Sequence, residues 1–433
     1  LPRAHTRTRS SSNCIYLLWT KNNYWAMVVE GKEGKRETRV LLLESVAQSA
    51  VDNLVSQGYI VETAHRISQE ELKKRITNVH AIGIRSKTLL TKEVLKCAKN
   101  LLVIGHFCIG TDQTDLQYAA EIGIPVFNSP FANTRSVAEL IVGEMIMLAR
   151  QAGDRLQEMH QHIWNKVSKQ CHEIRGKSLG IVGYGHVGQQ LSVLAEAFGM
   201  KVRYVDVIPK LNIGNTMPCE NLEELLRISD FVSLHVPLTS ETKDMIGEKE
   251  VNTMKKGSYL LNASRGAVVV LEPVAAALKS GHLAGCAFDV YPSEPGSKTD
   301  SYEIPLQGCR NTILTPHIGG STEEAQTSIG VETSQNIIDF FNTGRTHGAV
   351  NFPIVDLRPA EADFHRLLNS HWNRPGVLKK INEILGNYNI TGQSLSTKGG
   401  IGYLMVDIDS KVSDEVEFKI KQLDESILTR VIS

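Results

Sequence analysis

Three side chains in the second half of the chain are of types that could activate a small hydroxy acid: Arg265, Glu294 and His317. An arginine can hold a carboxylate through two parallel hydrogen bonds in a fixed geometry. A histidine with a pKa near neutrality suits proton exchange with a hydroxyl, and a neighbouring carboxylate stabilises its charged form. Arg265 lies in Asn262-Ala263-Ser264-Arg265-Gly266. Glu294 lies in Asp289-Val290-Tyr291-Pro292-Ser293-Glu294-Pro295, where Asp289 supplies a second carboxylate. His317 lies in Pro316-His317-Ile318-Gly319-Gly320. Taken singly, each has a duller reading: a surface arginine, a helix-capping glutamate, a histidine bonded to backbone. Together they carry weight, because each follows an apolar run that reads as a strand, and open α/β sheets bind ligands at the carboxyl ends of their strands.

Upstream, the apolar run Leu179-Gly180-Ile181-Val182 leads into Gly183-Tyr184-Gly185-His186-Val187-Gly188, glycines spaced G-x-G-x-x-G. Gly183 allows a tight turn out of the strand. Gly185 lets backbone approach a pyrophosphate, and Gly188 lets helix and strand pack closely. The next helix offers free N–H groups and partial positive charge to phosphates. A second apolar run, Lys201 to Val205, stops at Asp206, about twenty residues on, where a carboxylate can hold the ribose hydroxyls of NAD and repel the extra phosphate of NADP. A lone glycine motif is weak evidence. With its strand, helix and terminal Asp it reads as a nicotinamide dinucleotide site.

These groups need a scaffold. From Arg39 onward, short apolar or β-branched runs alternate with helical segments, which is the pattern of an α/β fold. Strands are expected at Val40–Leu43, Ala81–Ile84 and Leu102–Ile104, with a helix through Val51, Leu54 and Val55. Ser136 with Glu139 has capping-box spacing, so a helix is expected from about Asn133 to about His162. Strands at Phe231–His235, Ser258–Asn262, Gly285–Asp289 and Thr312–His317 complete the dinucleotide unit. A helix from about Ser321 then carries the chain back. The expected division is a substrate domain at 39–132, an NAD-binding domain at 133–319 and a return segment at 320–352. A linker at 353–362 precedes a small α/β unit at 363–433, with strands Asp363–Ser370 and Gly402–Ile408 around a helix Gly376–Gly386.

At 433 residues the chain is too long for one core. Its formal net charge of zero argues against a general nucleic-acid or membrane-surface binder. The seven cysteines form no C-x-x-C pair, so neither a metal site nor a disulfide framework is expected, and the reading is a cytoplasmic protein. Cys108, in Gly105-His106-Phe107-Cys108-Ile109-Gly110, reads as a small apolar residue at a strand end rather than a nucleophile. Residues 1–38 differ in composition from the rest of the chain. They carry no acid before Glu30 and several Arg, Ser and Thr, as an organellar transit peptide would, yet the reading preferred is a disordered or artefactual extension.

Two further clusters call for ligands. Ile84-Arg85-Ser86-Lys87-Thr88 puts two cations and two hydroxyls at a strand end, where they could receive a phosphate; a solvated basic loop is the alternative. In the C-terminal unit, His371-Trp372-Asn373-Arg374-Pro375-Gly376 sets polar groups ahead of a turn and helix.

On these motifs the chain resembles the D-isomer-specific 2-hydroxyacid dehydrogenases, and among them the branch that oxidises 3-phosphoglycerate and carries a C-terminal ACT domain. The likeness covers about residues 39–433. It implies a Rossmann-type domain inserted in a discontinuous flavodoxin-like substrate domain, followed by a ferredoxin-like ACT domain. It implies that Arg265 orients the substrate carboxylate, that His317 exchanges the hydroxyl proton, and that Glu294 tunes His317. It implies NAD contacts at His186, Val187, Asp206, Ala263, Ser264, Arg265, Asp289 and the loop His317, Ile318, Gly319 and Gly320, with His235, Val236 and Pro237 on the adenine side. It also implies L-serine as an effector at His371, Asn373 and Asn389, and a homotetramer. The sequence is about two residues shorter around Asn389 than bacterial relatives. Two alternatives stay open: an enzyme for another 2-hydroxy acid such as 2-hydroxyglutarate, and a non-catalytic NAD-sensing scaffold.

Overall fold

The computed structural model describes residues 38–295 and 301–433, together with the backbone of three strands nearer the N-terminus, β1 (Arg9–Ser10), β2 (Asn13–Trp19) and β3 (Trp25–Glu30). By its internal contacts the chain falls into two compact units, Leu1–Pro130 with Gln326–Ser433, and Phe131–Ala325.

The first unit begins with β4 (Arg39–Leu43), β5 (Ile60–Ala64), β6 (Ala81–Ile84), β7 (Val103–His106) and β8 (Val126–Phe127). They pair in parallel in the order β5-β4-β6-β7-β8, which in chain order is the doubly wound 2-1-3-4-5 arrangement. Parallel strands covered by helices on both faces are apolar throughout, and Val40 to Leu43 are all buried. The helix Gln48–Ser56 buries Val51, Leu54 and Val55, as its periodicity requires. Within residues 1–38, expected as a disordered or artefactual extension, three short strands are described. Apolar runs there form β2 and β3, and β3 adds antiparallel to the outer edge of β5, Val28 opposite Glu62. The rest of that segment lies outside the described residues.

The same unit ends in β16 (Phe364–Trp372), β17 (Ile390–Lys398), β18 (Ile401–Asp409) and β19 (Ser426–Ile432), an antiparallel sheet in the order β17-β18-β16-β19. With helices Val377–Leu385 and Ser413–Lys421 this is a split β-α-β pattern. The sequence reading missed β17 and β19. Ile390-Thr391-Gly392-Gln393-Ser394 has little apolar character because β17 is an edge strand with few buried positions. Side chains of this sheet also reach the segment that precedes it. Arg366 pairs with both oxygens of Asp407 at 2.7 and 2.8 Å and donates to the carbonyls of Thr343 and Arg358. Both members of that ion pair are buried, so removing one partner would cost about 3–5 kcal/mol.

The second unit holds β9 (Ser178–Val182), β10 (Lys201–Val205), β11 (Met217–Pro218), β12 (Phe231–Leu234), β13 (Ser258–Asn262), β14 (Leu283–Phe288) and β15 (Thr312–Leu314). All pair in parallel in the order β11-β10-β9-β12-β13-β14-β15, the Rossmann order with one further strand. One face packs Ile181, Leu261 and Ala287 against Ile141, Met145 and Leu191, and the other packs Val182, Leu234, Leu260 and Phe288 against Leu226 and Val274. The helix expected from Asn133 to His162 is two helices, Thr134–Ala149 and Ala152–His160, broken at Gln151, whose φ of +52° is left-handed. The capping box expected from Ser136 and Glu139 does not form. The helix starts earlier, Ser136 bonds Thr322 at 2.8 Å, and Glu139 pairs with Arg135.

Candidate active site

The glycine turn has the shape its sequence implies. Gly183 has φ +91°, and a Cβ there would lie 2.4 Å from the His235 carbonyl oxygen. A Cβ on Gly188 would lie 2.4 Å from the carbonyl of Gly183, so helix His186–Ala197 can pack this closely only on a glycine. Gly185, by contrast, faces open space, which leaves backbone at the helix N-terminus free for a pyrophosphate. His186 and Val187 open that helix, and the ring of Phe131 packs on His186 with centroids 3.9 Å apart. Asp206, just past β10, accepts the Tyr184 N–H at 2.8 Å and the Ile208 N–H at 3.1 Å. Its carboxylate is thus fixed beside the glycine turn. These features fit a dinucleotide: a cradle without side chains and an acid at the next strand end. His235 directly follows β12 with its ring on Ser233 at 2.8 Å, and desolvation brings its pKa down to about 4, so it is neutral beside Val236 and Pro237.

At the ends of β13 to β15 the three chemical groups converge. Asn262, the last residue of β13, accepts from the Ser264 N–H and hydroxyl and donates to the Arg265 carbonyl, which fixes the Ala263–Arg265 turn. His317 Nδ1 lies 3.0 and 2.9 Å from the two oxygens of Glu294. A carboxylate only accepts, so Nδ1 carries the proton and Nε2 is left to exchange one with a substrate. The hydrogen bond that His317 donates to Glu294 is the main cause that raises the His317 pKa above its ordinary value. Burial and the charge of Arg265 oppose it. Burial would raise the Glu294 pKa, but its bond to His317 and nearby charges hold it below the ordinary value. The charge of Arg265 acts on both groups, and its guanidinium donates to the Ser264 carbonyl at 2.8 Å.

Asp289 has a role that its sequence position does not reveal. Its buried carboxylate accepts from the Thr315 hydroxyl at 2.6 Å and from the Ile318 and Gly319 N–H groups at 2.7 Å each. It thereby shapes the loop that presents His317, itself left-handed at φ +56°. Tyr291 adds to this by donating to the carbonyls of Phe288 and Thr315, both at 2.9 Å. On the other side of that loop, a Cβ on Gly320 would lie 2.3 Å from Asn133 Nδ2. Glu144, on helix Thr134–Ala149, also escaped the sequence reading. It is 3 % exposed, and burial, then the charge of Asp289, raise its pKa to about 8, so it is a neutral acid at pH 7. The signal was available: Val137, Ile141, Glu144 and Leu148 share one face of the helix, and a glutamate on an apolar face is unusual.

The remaining expected residues lie in the other unit. Arg85, Ser86 and Lys87 directly follow β6, where Lys87 and Thr88 donate backbone N–H groups to Glu44. In the C-terminal sheet, His371 is buried and bonded to Asn369 at 2.9 Å, whereas Asn373 and Asn389 are exposed. The structure brings Arg265, Glu294, Asp289 and His317 together; it does not expose His371 alongside the two asparagines.

A Rossmann sheet, a glycine cradle with a terminal Asp, and an Arg–Glu–His group at adjacent strand ends define a nicotinamide-dependent oxidoreductase acting on a hydroxyl beside a carboxylate. Residues 142–319 match the D-isomer specific 2-hydroxyacid dehydrogenase, NAD binding domain. The chain is 54% identical over 399 residues to D-3-phosphoglycerate dehydrogenase of Dictyostelium discoideum, covering 92% of this chain and 98% of that one. It is 46% identical over 404 residues to D-3-phosphoglycerate dehydrogenase of Escherichia coli, with coverage of 92% and 98%. Among solved structures it is similar to D-lactate dehydrogenase of Aquifex aeolicus complexed with NAD and lactic acid, at a TM-score of 0.61 and 27% identity. That match covers 70% of this chain and 95% of the other. The chain belongs to the D-isomer specific 2-hydroxyacid dehydrogenase family and is an NAD-dependent enzyme.

The geometry of Asp206 sets a measurable outcome. Initial rates with the two cofactors should favour NAD over NADP by at least roughly tenfold, and Asp206→Ala should narrow that gap, because ribose hydrogen bonds and charge repulsion both go. Equal use of both cofactors by the unmodified enzyme would remove Asp206 from this role.

Proposed function

We propose that the enzyme oxidises 3-phospho-D-glycerate to 3-phosphohydroxypyruvate with NAD, the first step of serine synthesis. The observation that carries this reading is the Glu294–His317 pair at the strand ends that also carry Arg265; the two cations Arg85 and Lys87 that follow β6, and the names of relatives matched nearly end to end, support it. When bound, NAD⁺ provides the hydride acceptor. Arg265 holds the substrate carboxylate by paired hydrogen bonds. His317 Nε2 takes the C2 hydroxyl proton as the C2 hydride departs, and Glu294 stabilises the resulting imidazolium. Asp289 keeps the histidine loop in place throughout. Gly183 to Gly188, Asp206, His235 to Pro237 and Ala263 to Ser264 hold the dinucleotide. Initial rates with NAD and 3-phosphoglycerate, against D-glycerate and 2-hydroxyglutarate, test the reading; a preference for either unphosphorylated acid sinks it.

The split β-α-β unit at the C-terminus is read as an ACT domain whose effector is L-serine, held by His371, Asn373 and Asn389. To inhibit, serine has to bind a slow state more tightly than a fast one. Asn373 is exposed, so Asn373→Ala can be made without disturbing the sheet. Loss of one hydrogen bond of about 1 kcal/mol should raise the half-inhibiting serine concentration roughly fivefold. An unmodified enzyme indifferent to serine would rule this part out and leave the dehydrogenase reading intact. The enzyme is further read as a homotetramer. Support comes from an apolar surface on and after helix Ala152–His160, where Leu156, Met159, Ile163 and Trp164 are exposed by 57%, 53%, 48% and 81%.

A further inference from the structure

The loop that carries Arg85 and Lys87 is anchored by an acid. Glu44, the first residue after β4, accepts the Lys87 N–H at 2.9 Å and the Thr88 N–H at 2.6 Å, one on each carboxylate oxygen. β4 and β6 are hydrogen-bonded neighbours, with Leu42 beside Gly83, so the acid reaches across a single strand spacing. Two backbone donors of the loop are thus already engaged, which leaves its side chains to meet an anion. Glu44 reaches this position from a strained turn. Its φ is +66° and that of Ser45 is +56°, two consecutive left-handed residues without a glycine. Such a backbone persists only where its surroundings over-determine it, and it concentrates at functional sites. Here the surroundings are β5: Glu44 N–H donates to the Ala64 carbonyl at 3.0 Å, and Ser45 Oγ meets His65 Nδ1 at 2.6 Å.

We propose that Glu44 is a positioning residue for substrate choice: it holds the Arg85–Thr88 loop so that Arg85 and Lys87 present their charges together to the phosphate. The proposal rests on the reading of those two cations as the phosphate site. It also explains why an acid is placed beside a site for an anion, where its bare charge would weaken binding.

The two possible roles of Glu44 predict opposite signs. If it acted only as a nearby negative charge, Glu44→Gln would lower the KM for 3-phosphoglycerate. As a positioning group it does the reverse, because the amide offers one acceptor and turns its NH₂ toward the second N–H. Steady-state kinetics with NAD should show the 3-phosphoglycerate KM raised about tenfold in Glu44→Gln and further in Glu44→Ala, with kcat within a few-fold. The KM for D-glycerate should barely move, and Glu44→Asp, which keeps both acceptor oxygens, should recover part of the loss. A lowered or unchanged KM for 3-phosphoglycerate in Glu44→Gln overturns the proposal. So does an equal rise for both acids, which would mark a merely structural role. If the unmodified enzyme does not oxidise 3-phosphoglycerate, the underlying reading falls and takes the proposal with it. If it does, and only the Glu44 variants disagree, the proposal falls alone.

Discussion

His317→Ala should lower kcat by roughly 10²–10⁴, the range for loss of a positioned acid/base group, or about 3–5 kcal/mol of barrier. The structure supports this size because Nε2 is the ring nitrogen left over once Nδ1 is bound to Glu294, and the loop is pinned by Asp289. Glu294→Gln separates orientation from charge. The amide oxygen can still accept from Nδ1, but the anion that raises the His317 pKa is gone. Hydroxyl oxidation needs the neutral imidazole, so activity rises with pH through the His317 pKa. In the unmodified enzyme that limb lies above the ordinary histidine value, and in Glu294→Gln it should move to lower pH. The same sign applies to stability. The pair contributes most when histidine is charged, below its unfolded pKa, and that contribution is lost as pH climbs through the raised folded value. A pH–rate profile that does not move in Glu294→Gln would remove Glu294 from this role, and full activity in His317→Ala would end the mechanism.

The second large effect is on substrate choice. Replacing Arg85 and Lys87 together with Ala should raise the KM for 3-phosphoglycerate by about a hundredfold or more, since two charge-assisted bonds of at least ~1.5 kcal/mol each are lost. The KM for D-glycerate, which has no phosphate to lose, should change little. No ion pair engages either side chain among the described residues, so the double substitution strips charge without leaving a buried partner exposed. Equal losses for the two acids would show that the loop supports the fold instead of reading the phosphate.

Much of the site is legible in the sequence because its parts are local. A glycine turn, its helix and the aspartate about twenty residues on are set by backbone sterics over one βαβ unit. The position of each chemical group follows from the apolar run it ends: Asn262 closes β13, Asp289 follows β14, and His317 comes shortly after β15. Other features could not be read this way. The helix after Asn133 looked continuous, since its apolar spacing continues past Ala149; the left-handed Gln151 that splits it is a tertiary outcome. Ser136 and Glu139 had the spacing of a capping box, but a partner far along the chain, Thr322, took the serine. β17 was invisible because an edge strand buries too little to leave an apolar pattern.

The sequence alone determined the fold class, the dinucleotide motif and which side chains are candidates for the chemistry, because all three depend on residue type and short-range spacing. Only the tertiary structure decided how those side chains are held. Asp289 spends its carboxylate on the histidine loop, Glu144 is kept neutral by burial, and Glu44 fixes the Arg85–Thr88 loop from a neighbouring strand. Each depends on groups far apart in sequence but adjacent across a sheet, and the free energy of a buried or shared charge is set by the neighbours folding brings to it.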